Sequence, residues 1–339
     1  MANKIKVLLT GAGSTLGREI LAQLLTMRKV FEISVLDIKR GHTMAFFEKY
    51  KKEIHIFYGD CSIQDNTVEA CKGQDFVIHC QSLEKANADK RLRLAEDVNT
   101  MGTRYIIENL ERFSPGAYLL YISTVGVYGD RLKAPMISAD NMTCPSMGDY
   151  DALTKLQAEK LVQESSLEWT IYRPGIILGH DSSLLNSSVF CMPLATRFET
   201  VHIRDLASAC VKAYDHKASL WGRTYNVGGG EACRIVYSDY IRRLFKLLGL
   251  GYPEFPDRAF ATRNRFGGYF ADGDALEAIL HFRRHTIEDY FKELAAQQPI
   301  LKKLANKIFV GVQRKSLEGK SAPLRAIKEN DRAKKKYYF

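Results

Sequence analysis

Two kinds of hydrophobic run alternate along the N-terminal half of the chain. Short aliphatic blocks, Ile5 to Thr10, Glu32 to Asp37, Ile54 to Gly59, Asp75 to Cys80, Ala117 to Ser123 and Glu168 to Arg173, have the length of buried strands. Between them, apolar residues recur every three or four positions. This holds for Ser14 to Arg28 (through Leu16, Ile20, Leu24 and Leu25), Asn66 to Cys71, Leu92 to Arg112 and Tyr150 to Ser165. That spacing predicts helices with one buried stripe. Strand and helix in alternation predict an α/β fold, a doubly wound parallel sheet covered on both faces. Its crossovers should be right-handed, and its binding crevice should lie outside the carboxyl ends of the strands.

After Pro174 the pattern loosens. Helices remain legible at Asp205 to Tyr214, Tyr237 to Leu248, Asp272 to Leu280 and Thr286 to Ala296, with a short strand at Thr224 to Val227. The stretch 249–268 mixes Pro, Gly and aromatic residues. The expected division is a sheet domain over residues 1–173 and a smaller lobe over 174–296 that sends segments back to the sheet. A basic helix and tail should occupy 297–339.

Composition adds limits. Of 339 residues, 46% are apolar and 26% charged, which excludes a chain that is disordered throughout. No apolar run approaches the ~20 residues of a membrane-spanning helix. The first apolar block is too short for a signal-peptide core, so a cytoplasmic protein is expected. The net charge is +10, yet residues 300–339 hold twelve Lys or Arg against three acids, so +9 belongs to the tail and about +1 to the rest. A nearly neutral body argues against specific nucleic-acid binding. The seven Cys form no Cys-x-x-Cys pair and the His residues do not cluster, so reduced thiols and no structural metal are expected.

The clearest chemical signal is Thr10-Gly11-Ala12-Gly13-Ser14-Thr15-Leu16-Gly17, which ends the first strand and opens the first helix. Glycine lets the backbone turn tightly and approach a pyrophosphate, and a helix N-terminus favours the negative charge. Asp37 ends the second strand, where a carboxylate can accept hydrogen bonds from both adenosine ribose hydroxyls and repel a 2′-phosphate. NAD is therefore favoured. Lys39 and Arg40 follow directly, so NADP is kept as the second choice. Gly59-Asp60 closes the third strand, where an Asp can reach the adenine amine.

These residues, with others along the chain, resemble the extended short-chain dehydrogenase/reductase family, in particular its branch of 3β-hydroxysteroid dehydrogenases and NAD-dependent epimerases and dehydratases. The resemblance reaches to about Ala296. Ser14 stands where that family's middle glycine would be. Asp75 to Ser82 resembles its fourth-strand motif, with Gln81 and Ser82 replacing the usual alanines. Val98-Asn99-Thr100-Met101-Gly102-Thr103 resembles its V-N-x-x-G-T helix. Tyr121 to Gly129, Arg173-Pro174-Gly175, Val201 to Ala207 and Tyr225 to Gly228 resemble four further motifs. The resemblance implies cofactor contacts from Gly11, Gly13, Ser14, Thr15, Leu16, Gly17, Asp37, Asp60, Cys61, Cys80, Gln81, Asn99, Lys155, Pro174 and Ile177.

It also implies a Ser/Thr, Tyr, Lys triad in which the Tyr hydroxyl exchanges a proton with the substrate oxygen. Thr124 and Lys155 stand at the first and last positions. The tyrosine position, four before Lys155, holds Asp151, and Tyr150 is one residue earlier. Five residues rotate a helix by roughly 140° from Lys155, so Tyr150 needs a late helix start or a bulge to serve. Asp151 can act as a base but has no proton to give near neutral pH. The bland reading of Asp151 and Lys155 is an i, i+4 ion pair.

The implied function is an NAD-dependent oxidoreductase or epimerase-like enzyme acting on a secondary alcohol or ketone of sterol-like, isoprenoid or sugar-nucleotide type. The alternatives are a catalytically impaired NAD-binding sensor or scaffold, and a peripheral membrane-docking protein. For the last, Ile300, Leu301, Leu304, Ala305, Ile308, Phe309 and Val312 have helical spacing interleaved with Lys302, Lys303, Lys307 and Arg314. A domain-packed helix is the expectation that competes with it, followed by a poorly ordered stretch from Lys315 to Phe339. His202 and Arg204 are candidate substrate contacts. Phe198, Tyr252, Phe255, Phe266 and Tyr269 are expected as core or lobe aromatics. A homodimer through the helices Leu92 to Arg112 and Tyr150 to Ser165 is implied by the resemblance.

Overall fold

A computed structural model describes residues 3–83, 85–179, 187–252, 254–263, 267–299, 306 and 308–339. Phe266, Ile300, Leu301, Lys302, Lys303, Leu304, Ala305 and Lys307 lie outside the described residues. Strands β1 (Ile5–Thr10), β2 (Phe31–Asp37), β3 (His55–Tyr58), β4 (Phe76–His79) and β5 (Tyr118–Ile122) form one sheet with β7 (Glu168–Pro174) and β10 (Arg223–Val227). Its seven strands run β10-β7-β5-β4-β1-β2-β3, and every pairing is parallel. The doubly wound expectation holds.

The two-residue period of a strand decides what each face buries. Val7 and Leu9 pack with Ile33, Val35, Ile78 and Leu120 beneath Ile20, Leu21 and Leu24 of the helix Thr15–Thr26 and beneath Leu206 and Cys210 of Ile203–Lys212. Leu8, Val77, Leu119 and Ile171 face the other way, toward Ile106 and Leu110 of Gly102–Phe113 and Ala158 and Val162 of Tyr150–Glu164. Chain order reverses at β1, whose neighbours are β2 and β4, and this opens a crevice at their carboxyl ends.

The lobe adds strands that the sequence pattern does not show. β8 (Ile176–Leu178), β9 (Arg197–His202) and β11 (Arg234–Val236) form a small sheet, and β6 (Met136–Ile137) pairs with β12 (Tyr269–Phe270). Phe190, Phe198, Ile241, Phe245, Phe291 and Leu294 share its core, while Tyr252 is exposed. Between lobe elements the chain returns to the sheet through Ile203–Lys212 and β10.

Two expectations change. The stretch Leu92 to Arg112 is helical throughout, but its middle, Glu96–Met101, is a π-turn in which the Gly102 N–H reaches back five residues to the Asp97 carbonyl. The stretch from Lys315 to Phe339 is folded rather than loose. It contains the last four residues of the helix Val310–Glu318, then Ala322–Lys328 and Arg332–Tyr338. Ser321 and Asp331 cap the last two by accepting the N–H groups of Leu324 and Lys334, and Leu317, Ala326 and Tyr338 are buried. Local capping and a few well-spaced apolar side chains outweigh the charge of this segment.

Candidate active site

The glycine turn has the geometry its sequence implies. Gly11 adopts φ +67°, and a Cβ there would lie 2.7 Å from the Gln81 Cα, so both conformation and space require glycine. Ser14 takes the N-cap of Thr15–Thr26. Its Oγ accepts the Gly17 N–H at 3.0 Å and donates to the Gly11 carbonyl at 2.8 Å. The substitution for the family's middle glycine therefore supplies a cap that also ties the turn closed. Leu16 packs inward on the core, and Thr15 stands at the helix start beside Gly13 and Ser14.

Asp37 leans toward this turn. One carboxylate oxygen accepts the Gly13 N–H at 2.6 Å and the other the Ile38 N–H at 2.7 Å. At the end of β3, Asp60 accepts from the Ser62 N–H and Oγ. Gly11, Asp37, Asp60, Cys61 and Gln81 line a crevice of about 420 Å³, with Leu94 and Val98 on one side and Arg40 and Arg91 at its rim. The Gln81 side-chain oxygen is buried without a partner among the described residues, so the crevice holds an acceptor for a ligand donor. A larger hollow of about 950 Å³, lined by Lys4, Lys29, Lys52 and His55, includes the amino ends of β2 and β3, away from these groups.

Two buried thiols belong to this region, Cys61 in the crevice lining and Cys80 next to Gln81. Burial pushes Cys80 up to about 12, and its Sγ contacts the Thr10 carbonyl at 3.0 Å. Burial likewise raises Cys61 well above the ordinary thiol value. Both therefore present neutral thiols rather than thiolates. Asn99 does not open onto the crevice. Its amide spans two segments, accepting the Leu83 N–H at 2.8 Å and donating to the Thr154 hydroxyl at 2.9 Å. Pro174 is buried at the end of β7, and Ile177 is partly exposed in β8.

The positions expected to be catalytic gather on Tyr150–Glu164 and the end of β5. Lys155 and Asp151 are an ion pair at 3.7 Å, their side chains only 13% and 8% exposed. The helix is regular from Tyr150, and the Thr154 hydroxyl bonds back to the Tyr150 carbonyl at 2.7 Å. Neither a late start nor a bulge rotates Tyr150, so Asp151 and not Tyr150 shares the face of Lys155. Thr124 caps the short helix Val125–Tyr128, accepting the Gly126 N–H at 3.2 Å.

Charges missed in the sequence surround this face. Asp149 caps the helix by accepting the Ala152 N–H, and it forms an ion pair with Lys85, which also meets Asp89 at 3.3 Å. Burial alone would lower the Lys85 ammonium's pKa, but the nearby carboxylates Asp149 and Asp89 overcome that and leave it raised. Asp89 is raised, chiefly by burial, despite Lys85 beside it. An Asp directly before a helical run is an N-cap signal, so Asp149 was available to sequence reasoning, whereas Lys85 was not.

Below the site, a hydrogen-bonded network joins four motif segments. Glu159 receives the Ser123 hydroxyl and pairs with Arg173 through two bonds of 3.0 and 2.6 Å. Arg173 also donates to the Tyr128 hydroxyl at 2.8 Å, and that hydroxyl donates to Asn226 at 2.7 Å. Asn226 in turn reaches Asp272 at 2.9 Å. His79 forms a second link. It is pushed down to about 4 by burial and by the Lys155 charge, so it is neutral. The Thr103 hydroxyl donates to the Asn99 carbonyl, which leaves it to accept from His79 Nε2 at 3.0 Å. His79 Nδ1 is then the acceptor for Thr10 at 2.6 Å.

His202 and Arg204, the candidate substrate contacts, have neighbours in the lobe helix Ile287–Gln297 and just before it. Their rings and charges meet His285 and Glu293, with His202 stacked on His285 at 4.2 Å and Arg204 bound to Glu293 at 3.0 Å.

A seven-stranded parallel sheet with a glycine turn, a terminal acid on β2 and a lysine helix beside β5 defines an α/β protein with the doubly wound fold of the short-chain dehydrogenase type. The model of the 3-beta hydroxysteroid dehydrogenase/isomerase family matches residues 8–179, and the chain belongs to that family. A curated relative is the mitochondrial NADH dehydrogenase [ubiquinone] 1 alpha subcomplex subunit 9 of Arabidopsis thaliana, 33% identical over 115 residues. The match covers 29% of this chain and 28% of that protein. Among solved structures, UDP-glucuronic acid 4-epimerase of Bacillus cereus, in complex with UDP-glucuronic acid and NAD, is similar at a TM-score of 0.66 and 19% identity, over 86% of this chain and 100% of that one. DesIV, a dTDP-glucose 4,6-dehydratase of Streptomyces venezuelae, is similar at 0.71 and 17%, over 86% and 96%. At these identities the likeness concerns the fold.

Proposed function

We propose that this chain binds NAD in the crevice between the glycine turn, Asp37 and Asp60, and supports slow oxidoreduction or epimerase-like chemistry on a secondary alcohol or ketone. The observation that carries the reading is the crevice: a left-handed Gly11, a capped helix N-terminus and a strand-end carboxylate converge on it. A bound nicotinamide supplies hydride transfer. Gly11 and the Thr15–Thr26 N-terminus hold the pyrophosphate, and Asp37 the adenosine ribose. Lys155 holds the nicotinamide ribose, and Thr124 orients the substrate oxygen. Asp151 stands at the tyrosine position, paired with Lys155, where a hydroxyl acid would otherwise be, so turnover should fall by about 10²–10⁴ relative to a site with a general acid.

Calorimetric titration with NAD⁺ and NADP⁺ tests the binding. Saturable binding of NAD⁺ in preference to NADP⁺ is expected, and binding of neither overturns the proposal. Asp151→Tyr should then raise the turnover of a secondary-alcohol panel by tenfold or more, and an unchanged rate would remove the role given to that position.

Two other observations favour readings in which the fold docks rather than turns over. The Arabidopsis relative carries the name of a complex subunit, which supports a non-catalytic NAD-binding subunit or scaffold. Ile308, Phe309 and Val312 are 75%, 57% and 70% exposed, while Arg314 and the buried Leu317 tie the same region to the lobe. With the tail's positive charge, that face suits an anionic membrane surface. Equal flotation on anionic and neutral liposomes would exclude the membrane reading.

A further inference from the structure

The last turns of the chain do more than finish the lobe. The helix Arg332–Tyr338 follows Ala322–Lys328 in a tight hairpin whose start is fixed by Ser321, which donates to the Ala259 carbonyl at 2.7 Å. Its end is fixed to the next turn of the same lobe loop. The Thr262 N–H donates to the Tyr338 carbonyl at 2.9 Å, and the Arg263 guanidinium donates to the Lys336 carbonyl. Tyr338 enters a cluster with Ala261 and Ala326, against which Cys191 also packs.

The neighbouring Tyr337 flanks the same cluster, its ring edge-on to Tyr338 at 4.8 Å, and also reaches a second loop. Tyr337 lies over Gly148, so close that a Cβ on Gly148 would stand 2.9 Å from the ring's Cε2. Gly148 has φ +76° and leads directly into Asp149, the cap of the helix that carries Asp151 and Lys155. One short helix therefore bridges the lobe loop 258–263 and the loop that starts the catalytic helix. A left-handed glycine under an aromatic ring is a costly arrangement for any other residue, and it places the ring where the loop turns toward the site.

We infer that the C-terminal helix is a strap over the substrate side of the site, and that Tyr337 is its clasp on the loop 146–149. The inference rests on the reading of Lys155 as the nicotinamide end of the cleft. Releasing the clasp frees the loop before Asp149 and opens the approach to Lys155; holding it keeps bulk water from that approach. Tyr337 is a positioning residue here, acting through Gly148 and Asp149.

The test is amide hydrogen exchange of the full-length, cofactor-free protein, of Tyr337→Ala and of a chain ending at Glu329. The readout is the exchange rate of peptides within 142–152 divided by that of peptides within 3–40, so general loosening cancels. At least a tenfold rise in this ratio is expected in both altered chains, and Tyr337→Phe should keep the wild-type ratio. An unchanged ratio in Tyr337→Ala overturns the clasp, whether or not the shortened chain responds. In a second arm, bound NADH should become at least twofold more sensitive to acrylamide quenching in Tyr337→Ala; equal quenching overturns the gating role. Failure of NADH to bind any of the chains would count against the proposed function, while the exchange ratio still decides the strap.

Discussion

Replacing Glu159 with Ala should be one of the most damaging single changes in the sheet domain. Glu159 and Arg173 are 1% and 6% exposed in their side chains and joined by two hydrogen bonds along one edge of the guanidinium. Without the carboxylate, Arg173 keeps the Tyr128 hydroxyl and the Ala139 carbonyl, but both are neutral acceptors. A buried cation left without its counter-charge costs about 3–5 kcal/mol. At roughly 2.1 cal/mol/K of unfolding entropy per residue, a 339-residue chain changes stability by about 0.7 kcal/mol per degree near its midpoint, so Tm should fall by about 4–7 °C. Differential scanning calorimetry and urea unfolding measure this directly. Glu159→Leu combined with Arg173→Met should recover most of the loss, because an apolar pair avoids the uncompensated charge. A loss below about 1 kcal/mol in the single variant would refute the reasoning, since it would mean that water or another anion reaches Arg173.

Other outcomes follow from the site. Gly11→Ala should weaken NAD⁺ binding at least tenfold by calorimetry, because the new Cβ meets the Gln81 backbone at a positive φ. His79 should show no imidazole titration by NMR between pH 5 and 8. Its folded pKa of about 4 lies below the unfolded value, so the unfolded chain binds the extra proton first. The neutral ring's contribution is intact above about pH 6.5 and is lost as pH falls toward 4, by roughly 3 kcal/mol in all. Ellman's reagent at pH 8 should react quickly with the exposed Cys144, while Cys61, Cys71, Cys80 and Cys210 should wait for unfolding. Analytical ultracentrifugation should show a dimer through Gly102–Phe113 and Tyr150–Glu164, and a monomer at all concentrations would exclude it.

The sheet was legible because its central strands are buried on both faces, which forces continuous apolar blocks such as Val7 to Leu9 and Phe76 to Ile78. The glycine turn was legible because each glycine answers a local steric demand. Strands β6 and β12 were not, since two-residue strands such as Met136–Ile137 exist only through pairing with distant chain. The tail was misjudged for a related reason. Its charge suggested a solvated segment, but Leu317, Ala326 and Tyr338 are spaced across three short helices and no single helical stripe reveals them. At the site, the sequence exposed the conflict between Tyr150 and Asp151, and the regular helix resolves it. The partners of Glu159 stayed hidden because its contacts lie 36 and 14 residues away, at Ser123 and Arg173.

The π-turn at Glu96–Met101 has a consequence for how two compartments share one wall. An extra residue in a helical turn advances everything before it by about 100° relative to everything after it. Leu94 and Val98, at or before the turn, line the crevice, while Asn99, Thr100 and Thr103 hold the lysine helix and His79. Asn99 has its carbonyl taken by the Thr103 hydroxyl, so the widened turn carries its own plug. Deleting one residue there would rewind the helix to a plain α form and force a choice between the two rooms. Either the crevice wall or the anchor of the lysine helix would turn away, which makes the length of this segment, and not only its composition, part of the candidate site.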